Sequence, residues 1–319
     1  MVAAVASRTA DSGSTGDSLV CPGCGAVVDV AAGQGAAICV YCATPGVVSR
    51  PRGHGTIEPA LITPFVVGRE EAMAAAKRWQ RSRSIFAHGG VKHAHIENLR
   101  GVYVPAWLYS CVARSSYTAR IGENYTVTET YTTTENGKTV TRTRQVTKTE
   151  WRSLDGEHAQ YVSDVIVTAS KGVPNNELER VEPFDLRGLR RYDAAAVVGW
   201  LMEEPSVTRS AGLEMARGET TAHTAKTLSA FMPGDTHSDL KFNTSFENES
   251  ADPMLVPLWV LAVRYDAKKP ALRVLVNGTT KKVGGDTPWS APKIVAAVVV
   301  VVGIIAGVVA LGFRLGWFK

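Results

Sequence analysis

Four cysteines carry the clearest chemistry in this 319-residue chain. Cys21 and Cys24 bracket Pro22-Gly23, Cys39 and Cys42 bracket Val40-Tyr41, and fourteen residues separate the two pairs. Each CxxC step lets two thiolates grip one cation from a single turn. Two such steps supply four sulfurs, the tetrahedral set that suits zinc, and leave no open position for a substrate or an activated water. The spacing therefore predicts one structural Zn²⁺ per chain, held by Cys21, Cys24, Cys39 and Cys42. Pro22 stiffens the first turn, while Gly23 and Gly25 let the backbone curl around the ion. Two disulfides or a thioredoxin-like redox pair are the competing uses of the same residues. Paired CxxC is more typical of metal, and no secretory segment precedes it. The runs Ala26-Val27-Val28 and Ala36-Ala37-Ile38, with Gly33-Gln34-Gly35 as a turn, predict a zinc ribbon over residues 20–44. So short a unit buries little apolar surface and draws most of its folding free energy from the metal.

The ribbon is poorly equipped for nucleic acid. From Cys21 to Ser49 there is no Lys or Arg, a single charge (Asp29) and a single aromatic (Tyr41). Phosphate neutralisation needs cations, and single strands need stacking platforms. The ribbon reads instead as a protein-interaction knob or a structural cap. Other candidate chemistry is weaker. Gly137-Lys138-Thr139 resembles the end of a phosphate-binding loop, but Thr132 stands where that loop requires glycine, and the setting is a hairpin. His88, His93 and His95 gather near Glu97 beside the Gly89-Gly90 turn and read as surface histidines. Cys111, alone in an apolar stretch, reads as a buried thiol packing as a small hydrophobe. No catalytic or organic-cofactor residues are expected, and the chain reads as a non-enzyme.

The second strong signal is Ile294 to Phe313, an unbroken apolar run. It predicts a transmembrane helix over 294–313, since about twenty apolar residues cross a bilayer core. Trp289 and Lys293 precede it and Arg314, Trp317, Phe318 and Lys319 follow, which fits interfacial anchoring. Residues 1–19 lack an apolar core segment, and reduced cysteines belong in a reducing compartment. The expectation is a single-pass, tail-anchored protein of the cell membrane with its body on the cytoplasmic side. Gly303 and Gly307 form a GxxxG step through which two such helices can pack as a homodimer.

Between these ends the chain reads as α+β. Residues 1–19 are expected to be a disordered tail and 45–58, with Pro45, Gly46, Pro51, Gly53 and Gly55, a linker. In 59–180, Thr63-Pro64-Phe65 precedes an amphipathic helix from about Arg69 to Ser84, followed by a strand from Val102 to about Tyr117. In 181–290, Glu182-Pro183-Phe184 precedes a helix capped by Asp185, with Leu189, Tyr192, Ala196 and Trp200 on one face. A second helix runs from Val207 to Phe231, then a strand at Leu255–Leu261. The repeated Pro-Phe, helix, Val-Pro-x-Trp order predicts a duplicated unit of helix plus antiparallel sheet. Between the halves, Tyr125–Thr134 and Thr139–Trp151 flank Asn136-Gly137 and predict a long Thr-rich hairpin, with Gln160–Ala169 paired alongside. That sheet is either a docking surface or a solvated edge. The net charge of +5 is modest. Lys77-Arg78 with Arg81 and Arg83, and Arg187 with Arg190-Arg191, read as wet faces. Lys281, Lys282 and Lys293 read as neighbours of the membrane surface.

The zinc knuckles, with Pro64-Phe65, Gly101-Val102-Tyr103-Val104-Pro105-Ala106-Trp107, Pro183-Phe184-Asp185, Val256-Pro257-Leu258-Trp259 and Val276-Asn277-Gly278-Thr279, resemble a bacterial family of TFIIB-type zinc-ribbon membrane proteins. A helicase-like role sometimes attached to such proteins is not supported, because the chain has no complete Walker motif and no room for two helicase lobes. The resemblance implies a membrane anchor working with flotillin-like or phage-shock-type membrane-stress proteins. The expected function is a non-enzymatic, membrane-tethered adaptor that recruits a cytosolic protein partner. The alternative is a membrane-tethered zinc-ribbon regulator that binds nucleic acid.

Overall fold

A computed structural model describes residues 17–29, 38–42, 44, 48–51, 57–83, 86–94, 99–135, 138–266, 269 and 271–314. In chain order the elements begin with β1 (Asp17–Val20), β2 (Val27–Asp29), β3 (Val48–Pro51), β4 (Leu61–Ile62), α1 (Arg69–Arg81) and α2 (Gly89–His93). They continue with β5 (Leu99–Glu135), β6 (Lys138–Thr168), α3 (Asn175–Leu178), β7 (Arg190–Arg191), β8 (Leu201–Glu203) and α4 (Arg209–Phe231). Last come β9 (Thr236–Val263), β10 (Leu272–Asn277), β11 (Val283–Gly285) and α5 (Ala291–Arg314). The class is α+β, with one large mixed sheet.

Two compact units emerge, cut differently from the expected 59–180 and 181–290. The smaller comprises Trp107–Val167 and Arg209–Asp252. Here β5 lies between β6 and β9. The expected hairpin is present, but its third run is no separate strand: Gln160–Thr168 continues β6, which is 31 residues long. The strand continues although residues 152–160 contain no β-branched residue and include Asp155-Gly156; Tyr117 lies against Gly156, where a Cβ would come within 2.7 Å of its hydroxyl. α4 is amphipathic in size rather than polarity. Gly212, Ala216, Thr220, Thr224 and Leu228 recur every fourth residue on its buried face. A Cβ at Gly212 would lie 2.4 Å from Trp107 Cδ1, so the helix and the indole meet only because glycine stands there.

The Asp235 N–H donates to the Gly122 carbonyl at 3.1 Å, near where β9 begins. Beyond that point β5 and β6 run on as a two-stranded ribbon. Its exposed rungs are charge pairs: Arg152–Glu123 at 2.6 Å, Lys148–Glu129 at 3.0 Å and Arg144–Glu129 at 3.1 Å.

In the larger unit the strand order is β11-β10-β9-β5-β8-β2-β1-β3, with β4 beside β9 and β7 beside β4. β4 lies parallel to β9 (Leu61↔Met254, Ile62↔Leu255), and β8 lies parallel to β5 (Val102↔Leu201, Tyr103↔Met202). The two Val-Pro-x-Trp segments hold corresponding places. The Pro257 carbonyl accepts from the Gly278 N–H at 2.9 Å, and the Pro105 carbonyl accepts from the Ala169 N–H at 3.0 Å. The Gly278 carbonyl in turn accepts from Val66 and Val67, and the Ala169 carbonyl from Ser206 and Val207. These bonds are alike at the two Val-Pro-x-Trp segments, but the expected duplication of a whole unit is not shown. The helix expected after Glu182-Pro183-Phe184 is absent. Asp185 caps only a 3₁₀ turn at Leu186–Gly188; β7 and a second 3₁₀ turn at Ala194–Val197 follow. Gly188, Asp193 and Gly199 punctuate a stretch too short to hold an α-helix between them.

The start of α1 is capped by Glu71, whose side chain accepts from the Gly68 N–H at 3.2 Å, and the helix buries Ala72, Ala75 and Ala76. These alanines pack with Trp259, Leu261, Val263, Val274 and Val276 into one core. The Trp259 indole N–H donates to the Val67 carbonyl at 2.9 Å, so this buried ring leaves no polar atom stranded.

The N-terminal region differs from expectation in one respect. Asp17–Val20 and Val48–Pro51, placed in the expected tail (1–19) and linker (45–58), are strands that pair with each other, and β1 also pairs with β2. Backbone pairing supplies the order that their composition hides. The expected Gly33-Gln34-Gly35 and Asn136-Gly137 turns, His95 and residues 315–319 lie outside the described residues.

α5 is the one described helix long and apolar enough to cross a membrane, over Ala291–Val309, and none of that window is buried.

Candidate metal centre

The Cys21 and Cys24 step sits in the turn between β1 and β2. The Gly25 N–H donates to the Cys21 carbonyl at 2.9 Å, and Gly25 adopts φ +74°, a conformation that suits glycine. The Cys39 and Cys42 step is closed by the Cys39 N–H donating to the Thr44 carbonyl at 3.0 Å. These turns bring all four sulfurs within 4.8 Å of one another. The shortest approaches cross between the two steps: Cys21 to Cys42 at 3.5 Å and Cys24 to Cys39 at 3.7 Å. A disulfide needs about 2.05 Å, and all four thiols are unbonded. Sulfurs about 2.3 Å from a tetrahedral ion stand about 3.8 Å apart. The arrangement therefore fits one metal ion shared by both steps.

The electrostatics agree. The hydrogen bond from Cys24 pulls the Cys39 thiol down to about 5, helped by the backbone N–H groups of Cys42 and Tyr41. The same hydrogen bond, with burial, pushes Cys24 strongly up. A divalent ion bound by the four sulfurs would favour the thiolate form of each.

Tyr41, between two ligands, is fully buried, and its contacts fasten the metal loop to the body. Its hydroxyl donates to Glu203 Oε2 at 2.7 Å, and Ser170 donates to Glu203 Oε1 at 2.6 Å. Arg273 stands over the Tyr41 ring at 5.7 Å and donates to the Tyr41 carbonyl at 3.1 Å. It also reaches the Gly172 carbonyl and pairs with Glu177 at 3.0 Å. Strand pairing continues the attachment, with Val28 opposite Glu203 and the Glu204 N–H donating to the Val27 carbonyl at 2.8 Å. Glu203 is 1% exposed. Burial raises its carboxyl to about 7, against the lowering pull of the Ser170 and Tyr41 hydroxyls and Arg273. The Tyr41 loop is thus fastened to the body by side-chain contacts as well as by strand pairing.

Sequence reasoning found the four cysteines and missed their seat. Glu203 is one of two adjacent acids, Glu203-Glu204, with no motif around them. Arg273 offered a signal, a single cation inside the apolar strand Leu272–Val276. The other flagged residues are structural. His88 Nδ1 caps α2 by accepting from the Gly90 N–H at 3.2 Å. Cys111 is fully buried, and burial pushes its thiol up. Lys138 begins β6, in the hairpin setting that a phosphate loop does not have. Of the three lysines expected near the membrane surface, Lys281 pairs with Glu71 at 2.5 Å, Lys282 is bound to the Glu182 carbonyl, and Lys293 donates to the Ala87 carbonyl at 3.0 Å. A Cβ on Gly303 or Gly307 would meet nothing within 4 Å.

No protein-family model and no solved structure matches the chain. It is 22% identical over 253 residues to the uncharacterized protein YdjG of Bacillus subtilis (strain 168), an alignment covering 77% of this chain and 68% of that protein. The likeness is distant, and the TFIIB-type designation expected from the zinc knuckles has no family match behind it.

Proposed function

We propose that this chain is a non-catalytic, membrane-tethered adaptor, stabilised by one zinc ion, that binds a protein partner through the two-stranded end of its β5–β6 hairpin. The observation that carries the reading is the hairpin itself. Between Asn124 and Trp151 it extends past the start of β9, with both faces largely exposed. Isolated two-stranded hairpins are marginal in water and gain from a partner. Tyr125, Tyr131 and Trp151 are exposed large side chains on it, the kind that anchor protein interfaces. Glu123 and Glu129 already pair with Arg152, Arg144 and Lys148, which leaves little net charge for phosphates and disfavours the nucleic-acid alternative. α5 supplies the tether, and a second copy would pack on its Gly303–Gly307 face. A thiolate metal site belongs in a reducing compartment, which supports a cytoplasmic body.

The test is affinity purification of the full chain from detergent-solubilised membranes. Two controls run beside it: α5 alone, and the chain with residues 125–150 replaced by a short turn. A protein retained by the full chain and lost from both controls supports the proposal. Identical protein profiles in all three overturn it.

A further inference from the structure

The base of α5 is built into the body by a set of backbone ties. The Ser290 N–H donates to the Phe86 carbonyl at 2.8 Å, the His88 N–H to the Pro288 carbonyl at 2.9 Å, and Ala87 bridges Trp289. Lys293 Nζ donates to the Ala87 carbonyl at 3.0 Å. The loop at 86–88 is therefore fixed at the level where the apolar helix leaves the protein. α2 begins right after it, and Gln80 ties α1 to α2 through the Val91 and Ala94 carbonyls at 2.7 and 2.8 Å. The β9–β10 connection joins the same cluster through Tyr265, whose ring meets His88 edge-on at 5.4 Å.

The charges on these segments are one-sided. From Lys77 to Ala94 the sequence contains no Asp or Glu but carries Lys77, Arg78, Arg81, Arg83 and Lys92. Arg264 and Lys269 flank Tyr265, with Asp266 the one acid of that connection, and Lys293 completes the set. Aromatics lie among them. Trp289 is 66% exposed, and Arg83 stacks over Trp79 at 4.3 Å. Cations interleaved with Trp and Tyr at the exit of an apolar helix match the chemistry of a charged membrane interface.

We infer that this collar, formed by the end of α1, α2, the Tyr265 connection and the base of α5, binds anionic phospholipid headgroups of the bilayer that α5 enters. The inference rests on the membrane reading of α5 and adds a lipid preference to it. Of the lysines first expected in this role, Lys281 and Lys282 are engaged elsewhere and Lys293 belongs to the collar, whereas Arg81 and Lys269 make no ion pair among the described residues. Arg83 is held at the end of α1 by its stack over Trp79 and its donation to the Trp79 carbonyl at 2.9 Å.

The experiment reconstitutes the full chain into vesicles and uses two spin-labelled probes, phosphatidylglycerol and phosphatidylcholine. Flotation with purely neutral phosphatidylcholine vesicles first reports insertion of α5. The immobilised fraction of each probe then reports headgroup preference. The expected result is flotation in neutral vesicles and a preference for phosphatidylglycerol of about fivefold, equivalent to one cation at a charged surface. That preference should vanish in a variant carrying Arg81→Gln, Lys92→Gln and Lys269→Gln, which still floats and keeps its far-ultraviolet spectrum. Flotation with equal immobilisation of both probes, or a preference that survives in the variant, overturns the collar. Failure to float in neutral vesicles overturns the membrane reading and the collar with it.

Discussion

Glu203→Gln isolates the buried carboxyl under the metal loop. The ordinary value of 4.5 rises to about 7 because burial outweighs two hydroxyl donors and Arg273. The folded chain therefore holds a proton between these values that the unfolded chain has released. Bound protons favour the folded state at low pH, so stability falls as pH rises from about 4.5 to about 7 and is flat above that. Fully developed, this loss is about 3 kcal/mol, taking ~1.4 kcal/mol for each tenfold change in proton concentration. The amide in Glu203→Gln has the same shape, can still meet the Tyr41 and Ser170 hydroxyls, and does not titrate. Urea unfolding in detergent micelles at several pH values measures both proteins. The difference between them is informative because acid release of metal from the cysteines affects both alike. The variant should gain on the parent by up to about 3 kcal/mol between pH 5 and pH 8. A difference that stays constant with pH would show that Glu203 is ionised throughout, and would refute the claim that burial dominates its environment.

Cys21→Ser should lower bound metal from about one ion per chain to a small fraction, read by elemental analysis, and should expose Tyr41 to fluorescence quenchers. Tyr41→Phe removes the 2.7 Å hydrogen bond to Glu203 and should cost about 1–3 kcal/mol in urea unfolding while leaving metal content unchanged. Gly212→Ala inverts the usual helix rule: alanine normally adds about 1 kcal/mol over glycine, but here its Cβ collides with the Trp107 ring. A net loss of about 1–3 kcal/mol is expected, and a gain in thermal midpoint would contradict the packing described for α4.

Much of the fold was legible where one principle acted alone. The CxxC spacing placed four sulfurs around one point because only local turns are needed for it. α1 followed from periodicity, α4 from its position after Pro205, and the hairpin from β-branched runs around Asn136-Gly137. The failures occurred where distant segments decide. β1 and β3 have the composition of tail and linker and become strands only through each other. The stretch from Asp185 to Trp200 has helical spacing, yet Tyr192 and Ala196 pack against the Ile62–Tyr103–Leu255 cluster from short turns. The seat of the metal loop was hidden for the same reason, since Tyr41, Ser170, Glu203 and Arg273 are far apart in sequence and meet only after folding.

That seat also sets an order of events during synthesis. The cysteine loop needs only residues near 21–44 and can take up metal as soon as they leave the ribosome. Its docking partners arrive much later, Ser170 and Glu203 in mid-chain and Arg273 eighteen residues before Ala291 opens α5. Long-range contacts of this kind form last. The four cysteines are therefore made long before the residues that seat Tyr41, and that seat can close only as the apolar helix itself is being delivered.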